Sequence, residues 1–436
     1  MLSYQSYELP EDFKTGTATS SLQIEGGDRN NSWYRWAEEG HIKDGTHCIV
    51  ADDHWNRVGE DILLMQKLNV SVYRMSLEWS RIEPEEGKFD TEAIEHYRNE
   101  IKLLKERGIE TLVTLHHFSN PLWFEDRDAW VNKESVELFT RYAENVVNSL
   151  GDLVSNWVTI NEPNIYLIYG YIFGQWPPGK TKIGEFFKGA RNMIKAHIRA
   201  YEKIHSVRRG LGFNDTRVGS AMHLRLFDPK SPSILDKIVC WLYDYLTQKI
   251  FLSGTIEGRL CFPLGFGSGK DKKRYSDFLG INYYSRDIVK FVFSPGEAFG
   301  RREVKKDAEV NDLGWEIYPE GLYRVCKDMY NLYTLPIVIT ENGTCDKEDA
   351  FRTKFIYDHL YQVKRLIDEG VAVKAYYHWT LMDNFEWAEG LSARFGLYHV
   401  DYETQKRTLR KSGRFFSELC EKKGVDEDMI NKYLKD

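Results

Sequence analysis

The chain has 436 residues, 42% of them hydrophobic and 29% charged, a globular mixture with enough apolar material for a large core. Its net charge of −7 comes from 59 basic and 66 acidic residues with no basic stripe, which argues against nucleic acid as a partner. No apolar run approaches membrane-spanning length, and the six cysteines, scattered without C-x-x-C pairing, exclude a dense disulfide scaffold and a zinc ribbon.

In chain order, the first ten residues lack a basic start and an apolar stretch, so no signal peptide is expected. With reduced cysteines this predicts a cytoplasmic protein. Short apolar runs, rich in branched residues, then recur along the chain and read as buried strands. They are Phe13 to Thr19, Val70 to Met75, Thr111 to Leu115, Trp157 to Asn161, Val218 to Met222, Phe278 to Asn282, Ile337 to Thr340 and Val373 to Trp379. Amphipathic stretches lie between them: Thr91 to Arg107 stopping at Gly108, Lys133 to Leu150 starting after Asn132, and Asp349 to Glu369 stopping at Gly370. Asn before a helix and Gly after it are the capping residues expected. No linker or low-complexity tract divides the chain. The pattern predicts α/β architecture: a (β/α)8 TIM barrel, one domain over residues 1–436, with elaborated βα loops.

Polar residues sharpen this reading. Active sites in such barrels sit at the C-terminal ends of the strands. Those ends carry Gln23, Arg74, His117, Asn161 with Glu162, Asn282 with Tyr284, Glu341, and Trp379. An open, doubly wound sheet would gather such groups at one crevice instead. Glu162 and Glu341 each close an apolar run, with Pro163 or Gly343 turning the chain nearby. A carboxylate there loses hydration and needs a compensating role. Two of them, far apart in sequence, suggest a pair of carboxyl groups facing across a sugar, the chemistry of glycoside hydrolysis. Aromatics at 14%, with 12 Trp and 26 Tyr, suit both core packing and sugar stacking.

Several stretches carry a family resemblance, in order along the chain. They are Thr17 to Gly26, Tyr73 to Arg81, Leu115 to Phe118, Thr159 to Pro163, Asp277 to Tyr284, Ile339 to Gly343, Trp379 to Trp387 and Arg394 to Leu397. Through them the chain resembles glycoside hydrolase family 1, the β-glucosidase-type retaining glycosidases. The resemblance implies Glu341 as nucleophile and Glu162 as acid, then base, with carboxyl groups about 5–5.5 Å apart. Glu341 must then begin ionised, helped by Arg74 and by a hydrogen bond from Tyr284; Asn282 belongs to the same catalytic group. Gln23, His117, Trp379, Glu386 and Trp387 would hold the sugar ring, with Asn161 on its 2-hydroxyl.

The implied partner is a small-molecule β-glycoside, a glucoside, fucoside or galactoside, and no cofactor or metal is expected. Adjacent histidines on a strand point to opposite faces, so His116 and His117 cannot both be ligands at the barrel mouth. The 6-phospho-sugar branch of the family carries Ser, Lys and Tyr after the last strand. Here Asn384 to Trp387 stands in that place, and Glu386 would repel a phosphate. Other departures are Asp128-Ala129-Trp130 where Gly-Gly-Trp is common, Ser119 to Pro121, Leu391, and a short stretch from Gly265 to Arg274. The sequon at Asn342 abuts Glu341, where a glycan would block the site.

Overall fold

The computed structural model describes residues 4–267 and 273–435, so part of the Gly265 to Arg274 stretch lies outside the described residues. Eight parallel strands close a barrel. They are β1 Lys14–Ala18, β2 Val72–Ser76, β3 Glu110–His116, β4 Asn156–Asn161, β5 Arg217–His223, β6 Leu279–Asn282, β7 Ile337–Asn342 and β8 Val373–Trp379. Each strand pairs with the next in sequence, and β8 pairs back onto β1 to complete the ring. The eight runs expected from sequence are these eight strands.

The helices follow their capping chemistry. Thr91–Glu106 starts where the Asp90 carboxylate accepts the N–H groups of Glu92 and Ala93, and ends before Gly108, whose φ of +72° favours glycine. Ser135–Leu150 starts two residues later than expected: Asn132 caps the preceding turn, accepting the N–H of Glu134 at 2.9 Å. Arg352–Asp368 begins three residues after the expected Asp349 because the Asp346 carboxylate gathers the N–H groups of Ala350, Phe351 and Arg352. That bonding holds the intervening residues in a loop. A 28-residue helix, Ile183–Gly210, packs along Ser135–Leu150. A small sheet of Leu226–Pro229, Arg286–Phe291 and Gly300–Glu303 also lies outside the barrel ring.

Side chains alternate along a strand, so the barrel interior is filled by every second residue. Val72, Leu112, Val158, Ala221 and Tyr377 form that inner cluster. Arg74, two residues beyond Val72, and Trp379, two beyond Tyr377, keep the same face and therefore point inward near the mouth. Strand pairing slips between Val158 and Asn161, and again between Ile339 and Glu341. Such irregularities re-aim side chains, and here each lies at a strand end that carries a glutamate. Gly343 permits the close approach of β7 to β8: a Cβ there would lie 1.8 Å from the Trp379 carbonyl oxygen. Among the described residues, no helix is long and apolar enough to cross a membrane.

Candidate active site

Glu341 is the second-to-last residue of β7 and is only 3% exposed. Arg74 Nη1 donates to its Oε1 at 2.5 Å and the Tyr284 hydroxyl to its Oε2 at 2.7 Å. Both donors favour the ionised form. Burial works against them and, with the nearby Glu162 charge, pushes the carboxyl up to about 7. Arg74 and Tyr284 therefore meet Glu341 as the resemblance implies, but desolvation outweighs their effect.

Glu162 follows β4 with φ +39° and ψ +58°, a left-handed backbone that a residue with a Cβ adopts at a cost of about 1–2 kcal/mol. The helix Pro163–Ile168 starts immediately after it. Asn282 Nδ2 donates to Glu162 Oε1 at 2.7 Å, and His223 Nδ1 lies 3.4 Å from the same oxygen. His223 went unnoticed in the sequence. It is the last residue of β5, so its strand-end position was the available signal.

A single chain of hydrogen bonds fixes the polar floor. A guanidinium only donates, so the atom of Asn161 that faces Arg74 Nη2 at 2.7 Å must be its oxygen. Asn161 Nδ2 therefore faces His117 Nε2, 2.9 Å away, and that ring nitrogen accepts. Burial, reinforced by the Arg74 charge, lowers the His117 pKa well below its usual value. The neutral ring then carries its proton on Nδ1, a buried donor with no hydrogen-bond partner among the described residues. Asn282 is oriented by the same logic: its oxygen accepts from Thr340 at 2.6 Å, which turns its amide donors toward Asn161 and Glu162.

The opposite wall is formed by the loop after β8. Gln23 Nε2 donates to the Phe385 carbonyl at 2.8 Å and to Glu386 at 3.2 Å. Burial and the Glu341 charge push the Glu386 carboxyl up to about 8, against hydrogen bonds from Trp379 and Gln23. His117 stacks with both Trp379 and Trp387, with ring centroids 5.9 and 5.7 Å away. His116 points away from this pocket, with Nε2 against Asn120 at 2.9 Å.

One cavity of about 850 Å³ unites these groups. Its inner end is lined by His117, Glu162, His223, Tyr284, Glu341 and Trp379, with Glu386 and Trp387 beside them. Gln23, Arg74, Asn161 and Asn282 are fully buried and stand behind this wall, where they orient the groups that face the cavity. The arrangement can hold a polyol between two carboxyl groups. Asn342 is fully buried, with its amide bonded to the Tyr283 carbonyl and the Tyr376 hydroxyl, so the sequon is not a surface feature. Asp128 and Ala129 take φ of +62° and +41°, backbone that the Gly-Gly pair of the resemblance would adopt more easily.

Comparison with known proteins agrees with this geometry. The family model described as Glycosyl hydrolase family 1 matches residues 5–263 and 268–425. β-Glucosidase A of Thermotoga maritima is 33% identical, over 96% of this chain and 99% of its own length. A β-galactosidase of Sulfolobus acidocaldarius is 29% identical, over 97% and 96%. Among solved structures, a β-glycosidase from Pyrococcus horikoshii superposes with a TM-score of 0.89 at 35% identity, covering 98% of each chain. The chain belongs to glycosyl hydrolase family 1 and is a β-glycosidase.

Proposed function

We propose that the protein hydrolyses terminal, non-reducing β-D-glucosides with retention of configuration, with β-D-galactosides or β-D-fucosides as further substrates. The observation that carries this reading is one cavity bordered by Glu162 and Glu341, with only the latter gripped by a cation and a phenol. The glucosidase and galactosidase names of its relatives support the substrate class. The whole chain serves as one catalytic domain in this reading.

In the first step a Glu341 carboxylate oxygen bonds to the anomeric carbon while Glu162 gives its proton to the departing glycosidic oxygen, which leaves as an alcohol. Glu162, now a carboxylate, takes a proton from water. The water oxygen bonds to the anomeric carbon, and Glu341 leaves as a carboxylate. Arg74 and Tyr284 hold charge on Glu341 at the start and end of the cycle. The free Nδ1–H of His117 and the Glu386 carboxyl supply hydrogen bonds to ring hydroxyls. A 6-phosphate would place a dianion against the Glu386 carboxyl, beside a Glu341 that must be ionised to react, so phosphorylated glycosides are rejected in this reading.

The reading is tested with a panel of nitrophenyl glycosides, 6-phospho-glucoside included, and by assigning the anomer of the released sugar. Initial release of the α-anomer, or preference for the phosphorylated substrate, would defeat it. A pH dependence follows as well. The nucleophile must be ionised, so kcat/KM is expected to fall roughly tenfold per pH unit below about 7, the value to which burial pushes Glu341. Tyr284→Phe removes a donor that lowers this pKa and should move the acid limb to higher pH. An acid limb unchanged in Tyr284→Phe would separate it from Glu341.

A further inference from the structure

We propose that the protein pairs with a second copy of itself through the helix Ile234–Asp244, whose outer face carries an apolar strip that no described residue covers. Ile234, Ile238 and Trp241 recur at helical spacing and share that face. They are 68%, 50% and 57% exposed. The inner face is already used: Val239 and Cys240 pack on Val289 of the small outer sheet, and the Asp236 carboxylate accepts the N–H of Phe291 at 2.8 Å. The strip continues past the helix. Trp241 stacks on Tyr245 with ring centroids 5.3 Å apart, the Tyr245 hydroxyl donates to the Phe262 carbonyl at 2.7 Å, and Phe262 meets Phe266 at 5.8 Å. Phe262 and Phe266 are 63% and 89% exposed. None of Ile234, Ile238, Trp241, Phe262 and Phe266 lines the active cavity, so the strip is separate from the site described above.

Single exposed apolar residues are ordinary, but a continuous strip of them is not. An aromatic side chain carries about 150–250 Å², so Trp241, Phe262 and Phe266 expose about 400 Å² between them, and the isoleucines raise this to about 600 Å². A stable pair buries about 800 Å² on each partner, of which somewhat more than half is apolar. The strip alone supplies that apolar share. Its charges fit a twofold mate. Lys237 and Asp244 lie two helical turns apart on one flank of the strip. Two copies of the helix, packed antiparallel about a dyad beside Trp241, set Lys237 of each against Asp244 of the other. Asp244 already pairs with Lys249 at 2.5 Å, and a carboxylate has room for a second cation. An anionic lipid surface would call for a cationic rim instead. The rim here is mixed, with Arg259 held by Glu257 at 2.9 Å, and the chain carries a net charge of −7. A second copy is the occupant that matches both the apolar area and the charges.

The test is sedimentation velocity on the full chain from about 0.1 to about 100 µM, the range in which an interface of this size associates. The mass is expected to rise from 51.1 kDa to twice that value as concentration increases. Ile238→Asp and Trp241→Glu should each raise the dimer dissociation constant at least about 100-fold, since either change falls on both sides of the dyad. Lys237→Glu should weaken pairing about tenfold, and Lys237→Glu combined with Asp244→Lys should restore it. Circular dichroism matching that of the unaltered chain identifies the variants that fold. A chain that stays monomeric up to about 100 µM, or a dimer untouched by both apolar substitutions, would overturn the inference. Flotation of the monomer with phosphatidylcholine or phosphatidylglycerol vesicles, abolished by Trp241→Glu, would also overturn it, because the strip would then serve a bilayer.

Discussion

Glu341→Ala is expected to lower kcat by about 10⁵-fold or more on every glycoside, whatever its leaving group. The substitution deletes the atom that would bond to the anomeric carbon and leaves Arg74 buried without its carboxylate. The cavity it opens admits a small anion. Azide could then attack the anomeric carbon directly from the vacated side, and the product would be the inverted α-glycosyl azide. A β-glycosyl azide from this variant, or substantial residual hydrolysis, would contradict the assignment of Glu341 as nucleophile.

Glu162→Ala is expected to behave differently, and the difference is the stronger evidence. Loss of a general acid costs roughly 10²–10⁴-fold where the leaving group needs a proton. An alkyl glycoside should suffer that loss in full, whereas a dinitrophenyl glycoside departs as a stable phenolate and should be spared in the first step. The second step then lacks its base and becomes limiting. Azide needs no deprotonation to attack, so it should raise turnover at least about tenfold and yield the β-glycosyl azide. Equal losses across leaving groups, with no azide effect, would show that Glu162 is not the acid and base.

Much of this architecture was legible in the residues because buried strands leave a strong signal. The eight apolar runs became β1 to β8 with ends shifted by a residue or two, since strand boundaries depend on pairing partners that a linear pattern does not contain. The site was legible for a related reason: a polar residue closing an apolar run is costly unless used. That rule singled out Arg74, Asn161, Asn282 and both glutamates, which the fold brings into contact. It could not foresee that Gln23, Arg74, Asn161 and Asn282 stand behind the cavity wall, since the depth of a residue depends on the loops folded over it.

His223 was missed because its strand ends in a histidine of ordinary polarity, with no motif around it. A stripe of isoleucines that lines the cavity was missed for a different reason. Ile165, Ile168 and Ile172 have helical spacing, and such a stripe reads as core until the structure shows that it faces a cavity. Electrostatics was the least legible layer. Arg74 was correctly paired with Glu341, yet the net effect on that carboxyl depends on how completely water is excluded, which only the folded chain determines.

Three carboxyl groups, those of Glu162, Glu341 and Glu386, line the same cavity. Burial, with the neighbouring carboxylate charge added to it, pushes proton loss from Glu341 up to about 7 and from Glu386 up to about 8. A ligand that brings its own positive charge displaces those protons as it enters, whereas an uncharged sugar does not. By linkage, affinity for a protonated amine shaped like the ring climbs as solution becomes more alkaline through this range, for as long as the amine keeps its charge. The pocket thus discriminates by charge as well as by shape, and the surrounding pH sets how strongly.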